Sequence, residues 1–350
     1  MSPSPKLPGE PMLGLVGTLP GQIRETEVLF AEAQIPRSLS RRRVLFCGMG
    51  GSAAAGMLAQ GLLFDSPTLF VLNRGYRLPA WVDDETLLIF SSYSGNTEEV
   101  LSSWTQAQEE HPAAARLVIS SGGTLAEHAQ DAGVPRLMIP AGLPPRASLG
   151  YGVGVLFRLL GHLGLMESVE EGLSEAVEVL EEGVKSMGLE ANETNNQPRR
   201  LARRLYGKFP LIYAAEGMTA AVARRWCAQI NENGKALAHS AVLPELNHNE
   251  IVGWEVPTRV RAESFVIALR DRADHPRVQR RFGLTKSVLG SRVPGWENVE
   301  SQGTSPIARA MSLVLFGDYL SVYLAQAGGI EATPVSAIDL LKQKLSEPQS

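Results

Sequence analysis

Cysteine and net charge are both scarce in this chain of 350 residues. The two thiols, Cys47 and Cys227, do not lie in a metal-ligand spacing and could form at most one disulfide. Lysine and arginine together number 33 against 37 aspartates and glutamates, so the formal net charge is -4. Nucleic-acid-binding domains are usually strongly basic. The composition therefore predicts two reduced, buried thiols and argues against a nucleic-acid partner.

Long hydrophobic runs are also missing. The most apolar window, residues 151–166, contains Arg158 and His162 and is too short to cross a bilayer. The first residues, MSPSPKLPGEPMLGLVG, lack a basic start followed by a long apolar run, which is the pattern of a signal peptide. We therefore expect a cytoplasmic protein with no membrane partner.

Short apolar runs alternate with helical stretches along the whole chain. In the first half the runs begin at Val44 and recur at residues 68–73, 86–91, 116–120 and 135–140; in the second half they lie at 210–215 and 264–269. Strands that alternate with helices predict parallel sheets covered on both faces. We read the charged stretch 270–282 as a solvated helix, 305–327 as a long amphipathic or buried helix, and 334–345 as the final helix.

The pattern predicts an α/β fold made of two tandem units, each a parallel sheet flanked by helices in a flavodoxin-like or Rossmann-like sandwich. The first unit covers residues 1–165 and holds the candidate phosphate-binding loops. An acidic stretch with helical spacing, 166–195, is interpreted as a linker helix. The second unit covers residues 196–350 and holds the polar segment described below.

The segment SSYSGNTEEV, residues 91–100, lies where a buried strand ends and a helix begins. Ser92, Ser94 and Thr97 offer hydroxyl groups, and Gly95 lets the backbone turn tightly. The helix start adds free amide N–H groups and the positive end of the helix dipole. These groups together predict a phosphate site that needs no lysine.

The segment GMGGSAAAG, residues 48–56, matches the dinucleotide-binding fingerprint only partly, and that motif alone is weak. The acidic residue expected at the end of the second strand is missing, because residues 71–77 read VLNRGYR. We therefore disfavour a nicotinamide cofactor. The interpretation preferred here is that Gly50, Gly51 and Ser52 line a sugar site.

The segment QINENGKALAHSAVLPELNHNEIVGW, residues 229–254, contains a carboxylate (Glu232), an imidazole (His248) and a second carboxylate (Glu250) among several asparagines. It is too polar for ordinary core. Hydrogen-bonding neighbours around titratable groups are typical of acid–base sites. Each side chain could still have a structural role, and Glu250 is better explained as a supporting partner than as a catalyst.

The motifs GMGGSAAAG, SYSGNTEEV, PPRAS and ELNHNE follow one another in this order, and together they resemble the bifunctional phosphoglucose/phosphomannose isomerases. These proteins consist of two sugar-isomerase (SIS) domains. SYSGNT alone identifies only the broad SIS fold, whereas NENGK with LPELNHNEIVGW is far more specific. RDRADHPR and TPVSAIDLLK also look like segments of this family. The resemblance covers roughly residues 21–345.

The resemblance implies an aldose–ketose isomerase that interconverts glucose 6-phosphate, and also mannose 6-phosphate, with fructose 6-phosphate through a cis-enediol, with no metal and no cofactor. Glu232 would move the proton between carbons 1 and 2, and Arg146 would stabilise the enediolate. His248 and Lys342 would assist ring opening, although Lys344 lies close to Lys342 in the sequence. The resemblance also implies a homodimer in which His248 reaches the site of the other subunit.

Other functions occur on the same fold. A sugar-phosphate-binding regulator with the same fold would bind ligand without turnover, and an amidotransferase-type isomerase would need a glutaminase domain that this sequence lacks. One departure from the family is Thr124, which stands in SSGGT where many relatives carry the lysine of SGGK. The resemblance implies that Ser52, Ser92, Ser94 and Thr97 hold the phosphate, so the loss of that lysine bears on substrate preference rather than on reaction type.

Overall fold

The computed structural model describes residues 9–347. Residues 1–8 of the first predicted domain and residues 348–350 of the second therefore lie outside the described residues. The strands are β1 (Arg43–Gly48), β2 (Leu69–Asn73), β3 (Thr86–Ser92), β4 (Ala115–Ser120), β5 (Arg136–Met138), β6 (Phe209–Ala215), β7 (His239–Leu243), β8 (Ser264–Arg270) and β9 (Trp296–Glu300). The helices are α1 (Glu10–Gly17), α2 (Leu19–Glu32), α3 (Gly50–Leu62), α4 (Glu98–Glu110), α5 (Gly123–Asp131), α6 (Leu149–His162), α7 (Val169–Met187), α8 (Gln197–Leu205), α9 (Met218–Glu232), α10 (Glu250–Gly253), α11 (Thr258–Glu263), α12 (Pro276–Leu289), α13 (Pro306–Ala327) and α14 (Ser336–Ser346).

The first sheet is parallel throughout, with the strand order β2-β1-β3-β4-β5. Side chains alternate between its two faces because the strand period is two residues. Phe46 of β1 lies in the large core that also contains residues of α3 and α6, whereas Leu45 lies in a second cluster with Trp104 of α4 and Leu125 of α5. Both faces are therefore covered, as the sequence predicts for a parallel sheet.

The second sheet is also parallel, with the order β7-β6-β8-β9. The central strands β6 and β8 match the predicted apolar runs. Neither β7 nor β9 was predicted from the sequence. Both are edge strands whose residues are mostly exposed or half-buried, so they lack the continuous apolar run that identifies a buried strand. The α/β class with two parallel sheets is confirmed.

Helices α7 and α13 join the two halves into one core. The stretch 166–195 contains α7, and its apolar face, with Leu173, Ala176 and Leu180, is buried in the same cluster as residues of α13. Helix α13 is long and apolar enough to cross a membrane by length and composition, but its most apolar 18-residue window is completely buried inside the protein. Helix α7 thus contributes to the core, and the predicted domain limits stay a prediction.

The prediction of a solvated helix over 270–282 is wrong for its first part. Strand β8 runs to Arg270, and α12 begins only at Pro276. Between them, Asp271 is 4% exposed and accepts hydrogen bonds from Arg309 Nε (2.9 Å) and Ser301 Oγ (2.6 Å). The partner cation lies on α13, far away in the sequence, so the local charge pattern could not reveal this buried ion pair.

Candidate active site

The strand order of the first sheet reverses between β1 and β3. These strands are neighbours, yet β1 continues to β2 on one side while β3 continues to β4 on the other. The carboxyl ends of two such strands open a crevice, which is where ligands bind in open α/β sheets. The two Gly- and Ser-rich loops predicted from the sequence follow these two strands, so the fold places them side by side.

The loop after β3 forms a cradle of hydroxyl and amide groups. Ser92 is buried, and its Oγ lies 2.8 Å from Thr97 Oγ1. Ser94 is exposed and its Oγ accepts from the Asn96 backbone N–H at 3.2 Å. The loop after β1 is attached through Ser52, whose Oγ accepts from the Tyr93 backbone N–H at 2.9 Å. No side chain caps the start of α4, so its first amide groups are free to bind an anion.

The hydroxyl loop packs closely against the loop after β4, where α5 begins. Gly95 has a φ of 72°, and a Cβ atom built on it would lie 1.8 Å from the Gly122 carbonyl oxygen. Thr124 donates its backbone N–H to Asn96 Oδ1 at 3.1 Å. Thr124 is therefore attached to the candidate phosphate loop through its backbone.

We expect Gly95→Ala to destabilise the protein and to weaken its binding of inorganic phosphate by about tenfold or more, because the added methyl group forces the two loops apart and removes charge-assisted hydrogen bonds. Gly133→Ala is the matched control: its φ is 63°, but a Cβ there would meet nothing within 4 Å. The control should cost only the left-handed backbone penalty of about 1–2 kcal/mol. Unfolding titrations and calorimetry with phosphate measure both effects; equal losses in the two variants would contradict this account.

Glu232 and Arg146 meet in a cavity of about 350 Å³ between the two halves. Glu232 is the last residue of α9, and its Oε2 lies 4.0 Å from Arg146 Nη1. Gly50 and Gly51 line the same cavity. A Cβ on Gly51 would lie 2.6 Å from the Pro145 carbonyl oxygen, so only glycine lets the loop that carries Arg146 approach α3 this closely.

Arg146 is held rigidly at the bottom of this cavity. It is 5% exposed, and its Nε donates to Asn233 Oδ1 at 2.7 Å. Its Nη2 donates to the carbonyl oxygens of Ala332 (3.2 Å) and Thr333 (2.7 Å). Burial lowers the pKa of Arg146, and the Glu232 carboxylate opposes that shift. The guanidinium stays charged, because arginine is not deprotonated in proteins.

A buried ion pair that the sequence analysis missed lies behind Arg146. Arg225 contacts Asp318 through Nε–Oδ1 (3.0 Å) and Nη2–Oδ2 (2.6 Å), and Gln229 donates to Asp318 Oδ1 at 3.1 Å. Arg225 also donates to the Arg146 carbonyl oxygen at 3.1 Å. Arg225, Gln229 and Glu232 are spaced four and three residues apart, so they lie on one face of α9. That helical spacing is the sequence feature that could have associated Arg225 and Gln229 with Glu232.

Lys235 is a second residue that the sequence analysis quoted in NENGK without giving it a role. Its Nζ donates to the backbone carbonyl oxygens of Glu232, Ala332 (3.1 Å) and Pro334. Burial, together with the charge of Arg146, lowers the pKa of Lys235. Lys235 thus supports the end of α9 and, with Arg146, holds the backbone that leads into α14.

His248 and Lys342 do not reach the Glu232 cavity. His248 ends a short 3₁₀ turn and is exposed, and Lys342 and the neighbouring Lys344 are exposed on α14. Neither His248 nor Lys342 lines the cavity. Helix α14 also exposes large apolar side chains to solvent: Ile338, Leu340, Leu341 and Leu345.

Glu250 does not line the Glu232 cavity and makes hydrogen bonds elsewhere. Its Oε1 accepts from the Tyr213 hydroxyl at 2.6 Å, and that hydroxyl accepts from Trp254 Nε1 at 2.9 Å. Burial, aided by the Glu250 charge, raises the pKa of Tyr213. This arrangement agrees with a supporting role for Glu250. Among residues 9–347, no three His, Cys, Asp or Glu side chains converge where they could hold a metal ion.

Residues 194–345 match the family model described as "Bacterial phospho-glucose isomerase C-terminal SIS domain". The chain is 42% identical to the bifunctional phosphoglucose/phosphomannose isomerase of Caldicellulosiruptor bescii, over 87% of this chain and 90% of that protein. It is 36% identical to the protein of the same name from Aquifex aeolicus, again over 87% and 90% of the two chains.

The fold agrees with this relationship. The crystal structure of tagatose-6-phosphate ketose/aldose isomerase from Escherichia coli superposes with a TM-score of 0.66 at 14% identity, covering 91% of this chain and 93% of that chain. At that identity the likeness shows the fold alone. The two relatives, matched over most of their length, show more: the chain belongs to the family of bifunctional phosphoglucose/phosphomannose isomerases, and it is a sugar-phosphate isomerase.

Proposed function

We propose that this isomerase interconverts glucose 6-phosphate and mannose 6-phosphate with fructose 6-phosphate in the cytoplasm, through a cis-enediol and without a metal ion. The observation that carries the proposal is the pairing of Glu232 with Arg146, 4.0 Å apart in one cavity beside Gly50 and Gly51. A carboxylate base next to a fixed cation is what proton transfer next to a carbonyl group requires.

In this mechanism the Glu232 carboxylate removes the proton from carbon 2 of the open-chain aldose. The C–H electron pair forms the C1–C2 double bond, and the carbonyl oxygen at carbon 1 gains negative charge. Arg146 stabilises that charge without having to move, because three hydrogen bonds already fix its guanidinium. Glu232 then returns the proton to carbon 1, the proton of the carbon 2 hydroxyl passes to the carbon 1 oxygen, and the carbon 2 oxygen becomes the ketone.

The two aldoses differ only in configuration at carbon 2. The enediol is planar there, so the difference between glucose and mannose is lost in the intermediate. A base that can return the proton to either face of carbon 2 therefore connects both aldoses to one ketose. Ser52, Ser92, Ser94, Thr97 and the free amide groups of α4 hold the phosphate in this proposal, and that anchor aligns carbon 2 with Glu232.

Ring opening needs a proton donor and acceptor near the ring oxygen, and we assign these roles to His248 and Lys342 of a homodimer. Imidazole exchanges protons near neutral pH. Both residues are exposed and lie outside the cavity in one subunit. The exposed apolar side chains of α14 support a dimer in which a second copy covers them, since such surfaces usually mark an interface.

A mixture of two inactive variants tests where His248 acts. If His248 acts across the interface, a dimer of one Glu232→Gln subunit and one His248→Ala subunit contains one intact site. Random reassociation makes half of the dimers mixed, so we expect about a quarter of wild-type turnover. Each variant reassociated with itself is the control. No recovery in the mixture would show that Glu232 and His248 act within one subunit.

The proposed function itself is tested by assaying the purified protein with each hexose 6-phosphate. We expect fructose 6-phosphate to form from both glucose 6-phosphate and mannose 6-phosphate, in the presence of a metal chelator. Formation from neither aldose would overturn the proposal, and binding of both without turnover would support a regulator instead.

A further inference from the structure

The second sheet has one strand fewer than the first. Its order β7-β6-β8-β9 repeats the order β2-β1-β3-β4, but within residues 9–347 no strand corresponds to β5. In the first half, residues 121–148 connect β4 with α6 and include both α5 and β5. In the second half, only residues 301–305 connect β9 with α13. Strand β9 is therefore an edge strand at the position where β4 has a neighbour.

The free edge of β9 presents a row of backbone groups. The Ser301 backbone N–H donates to the Arg270 carbonyl oxygen of β8 at 3.0 Å. Because alternate residues of a parallel strand bond to the same neighbour, the odd-numbered residues of β9 face β8. Three residues therefore turn their backbone N–H and C=O groups away from the sheet: Trp296, Asn298 and Glu300. The Glu300 carbonyl oxygen accepts only a long hydrogen bond, 3.4 Å, from Gln302 Nε2.

A groove of about 810 Å³, called the β9 groove below, lies beside this edge. Residues of β9, α7 and α13 line it, and among the described residues none of β8 does, so it lies on the outer side of the sheet. Val179 and Met187 of α7, both half-buried, and Phe316 of α13 give it apolar surface. The β9 groove thus has the position, the backbone partners and the apolar surface that a fifth strand requires.

The β9 groove is acidic. Glu178, Glu182 and Glu300 line it, and the described lining residues include no lysine, arginine or histidine. Glu182 pairs with Lys185 at the surface, where the two side chains are 73% and 70% exposed, and such a pair is easily replaced. Within residues 9–347, the carboxylates of Glu178 and Glu300 take part in no ion pair and no side-chain hydrogen bond. A second copy of β9 would bring like charges together, Glu297 and Glu300 against themselves, so the charge favours a basic occupant.

We propose that the β9 groove binds an extended, basic peptide segment of another protein, which joins the second sheet as its fifth strand. Peptides that add to a sheet edge gain affinity from main-chain hydrogen bonds and specificity from alternate side chains. The outward backbone groups of Asn298 and its neighbours supply those hydrogen bonds. Lysine or arginine side chains of the peptide pair with Glu178 and Glu300, and its apolar side chains pack on Met187.

The β9 groove is separate from the candidate active site. Its lining shares no residue with that of the Glu232 cavity, and neither His248 nor α14 contributes to it among the described residues. A dimer formed through α14 therefore leaves the groove open. Binding of the peptide attaches the isomerase to a partner protein while substrate still reaches Glu232, so turnover should not change.

Fluorescence anisotropy of a labelled, capped pentapeptide of alternating lysine and valine, titrated with the full-length protein, tests the inference. We expect the wild type to bind this peptide at least about tenfold more tightly than the peptide with glutamate in place of lysine. Asn298→Pro removes one outward N–H, and an edge strand tolerates proline where that N–H faces solvent. This variant should fold, keep its turnover and lose about tenfold or more in affinity. Asn298→Ala is the matched control and should bind like the wild type.

Amide hydrogen exchange followed by NMR separates strand addition from loose electrostatic association. A saturating concentration of the lysine–valine peptide should slow exchange of the outward amides of Trp296, Asn298 and Glu300 by about tenfold or more. No binding by the wild type, equal binding of the two peptides, or full binding by Asn298→Pro would overturn the inference. Binding that leaves exchange of these three amides unchanged would overturn it as well. None of these readouts depends on turnover, so failure of the proposed function is a separate result.

Discussion

Glu232→Gln is expected to lower kcat by about 10²- to 10⁴-fold, the range that a positioned general base contributes. Glutamine keeps the size of the side chain and much of its hydrogen bonding, but it cannot take the proton from carbon 2. KM should change little, because the phosphate is held by the loop after β3 rather than by Glu232. Steady-state kinetics with glucose 6-phosphate measures both constants.

Glu250→Gln is the matched control for this variant. Glu250 belongs to the same polar segment, and both side chains are 27% exposed. Its carboxylate, however, accepts from the Tyr213 hydroxyl and not from a group in the cavity. We expect Glu250→Gln to retain most of the wild-type kcat. A Glu232→Gln enzyme within about twofold of wild type would remove Glu232 as the base.

Asp318→Asn should produce the largest loss of stability, about 3–5 kcal/mol in the free energy of unfolding. The substitution leaves Arg225 buried without a counter-charge, and breaking a buried pair by removing one partner costs about this much. Arg225 and Asp318 are 3% and 6% exposed, so water cannot replace the lost carboxylate. Denaturant unfolding followed by circular dichroism measures the difference.

The double variant Arg225→Met/Asp318→Leu separates the cost of an unpaired charge from the cost of losing the pair. Apolar side chains of similar volume often replace a buried ion pair with little loss of stability. We expect the double variant to recover most of the unfolding free energy but not the activity, since the Arg146 carbonyl oxygen loses its hydrogen bond from Arg225. A single variant within about 1 kcal/mol of wild type would contradict the assigned role of the pair.

The sequence was sufficient to predict the buried strands and the loops that follow them. The apolar runs that became β1, β3, β6 and β8 could be recognised because a central parallel strand is buried on both faces. The edge strands β7 and β9 could not, since their sequences mix polar with apolar residues, whereas the edge strand β2 carries an apolar run. Their neighbours in the sheet decide their conformation.

The candidate site was predictable where motifs are contiguous. Glu232 with its NENGK neighbours and the SYSGNT loop are local patterns. The support for Arg146 is not local: its partners Asn233, Ala332 and Thr333 are brought together only by packing of the two halves. The same holds for Asp318, which the sequence places inside an apolar helix with no sign of Arg225. Convergence of distant segments is a property of the tertiary fold.

Incorporation of solvent deuterium tests proton transfer through an enediol most directly. The wild-type enzyme converts fructose 6-phosphate in heavy water, with a chelator present, and carbon 2 of the aldose products is followed by NMR. A proton carried by Glu232 exchanges with solvent in part of the turnovers, so we predict deuterium at carbon 2 of both glucose 6-phosphate and mannose 6-phosphate. Products formed with no deuterium at carbon 2 would indicate direct hydride transfer and contradict the mechanism.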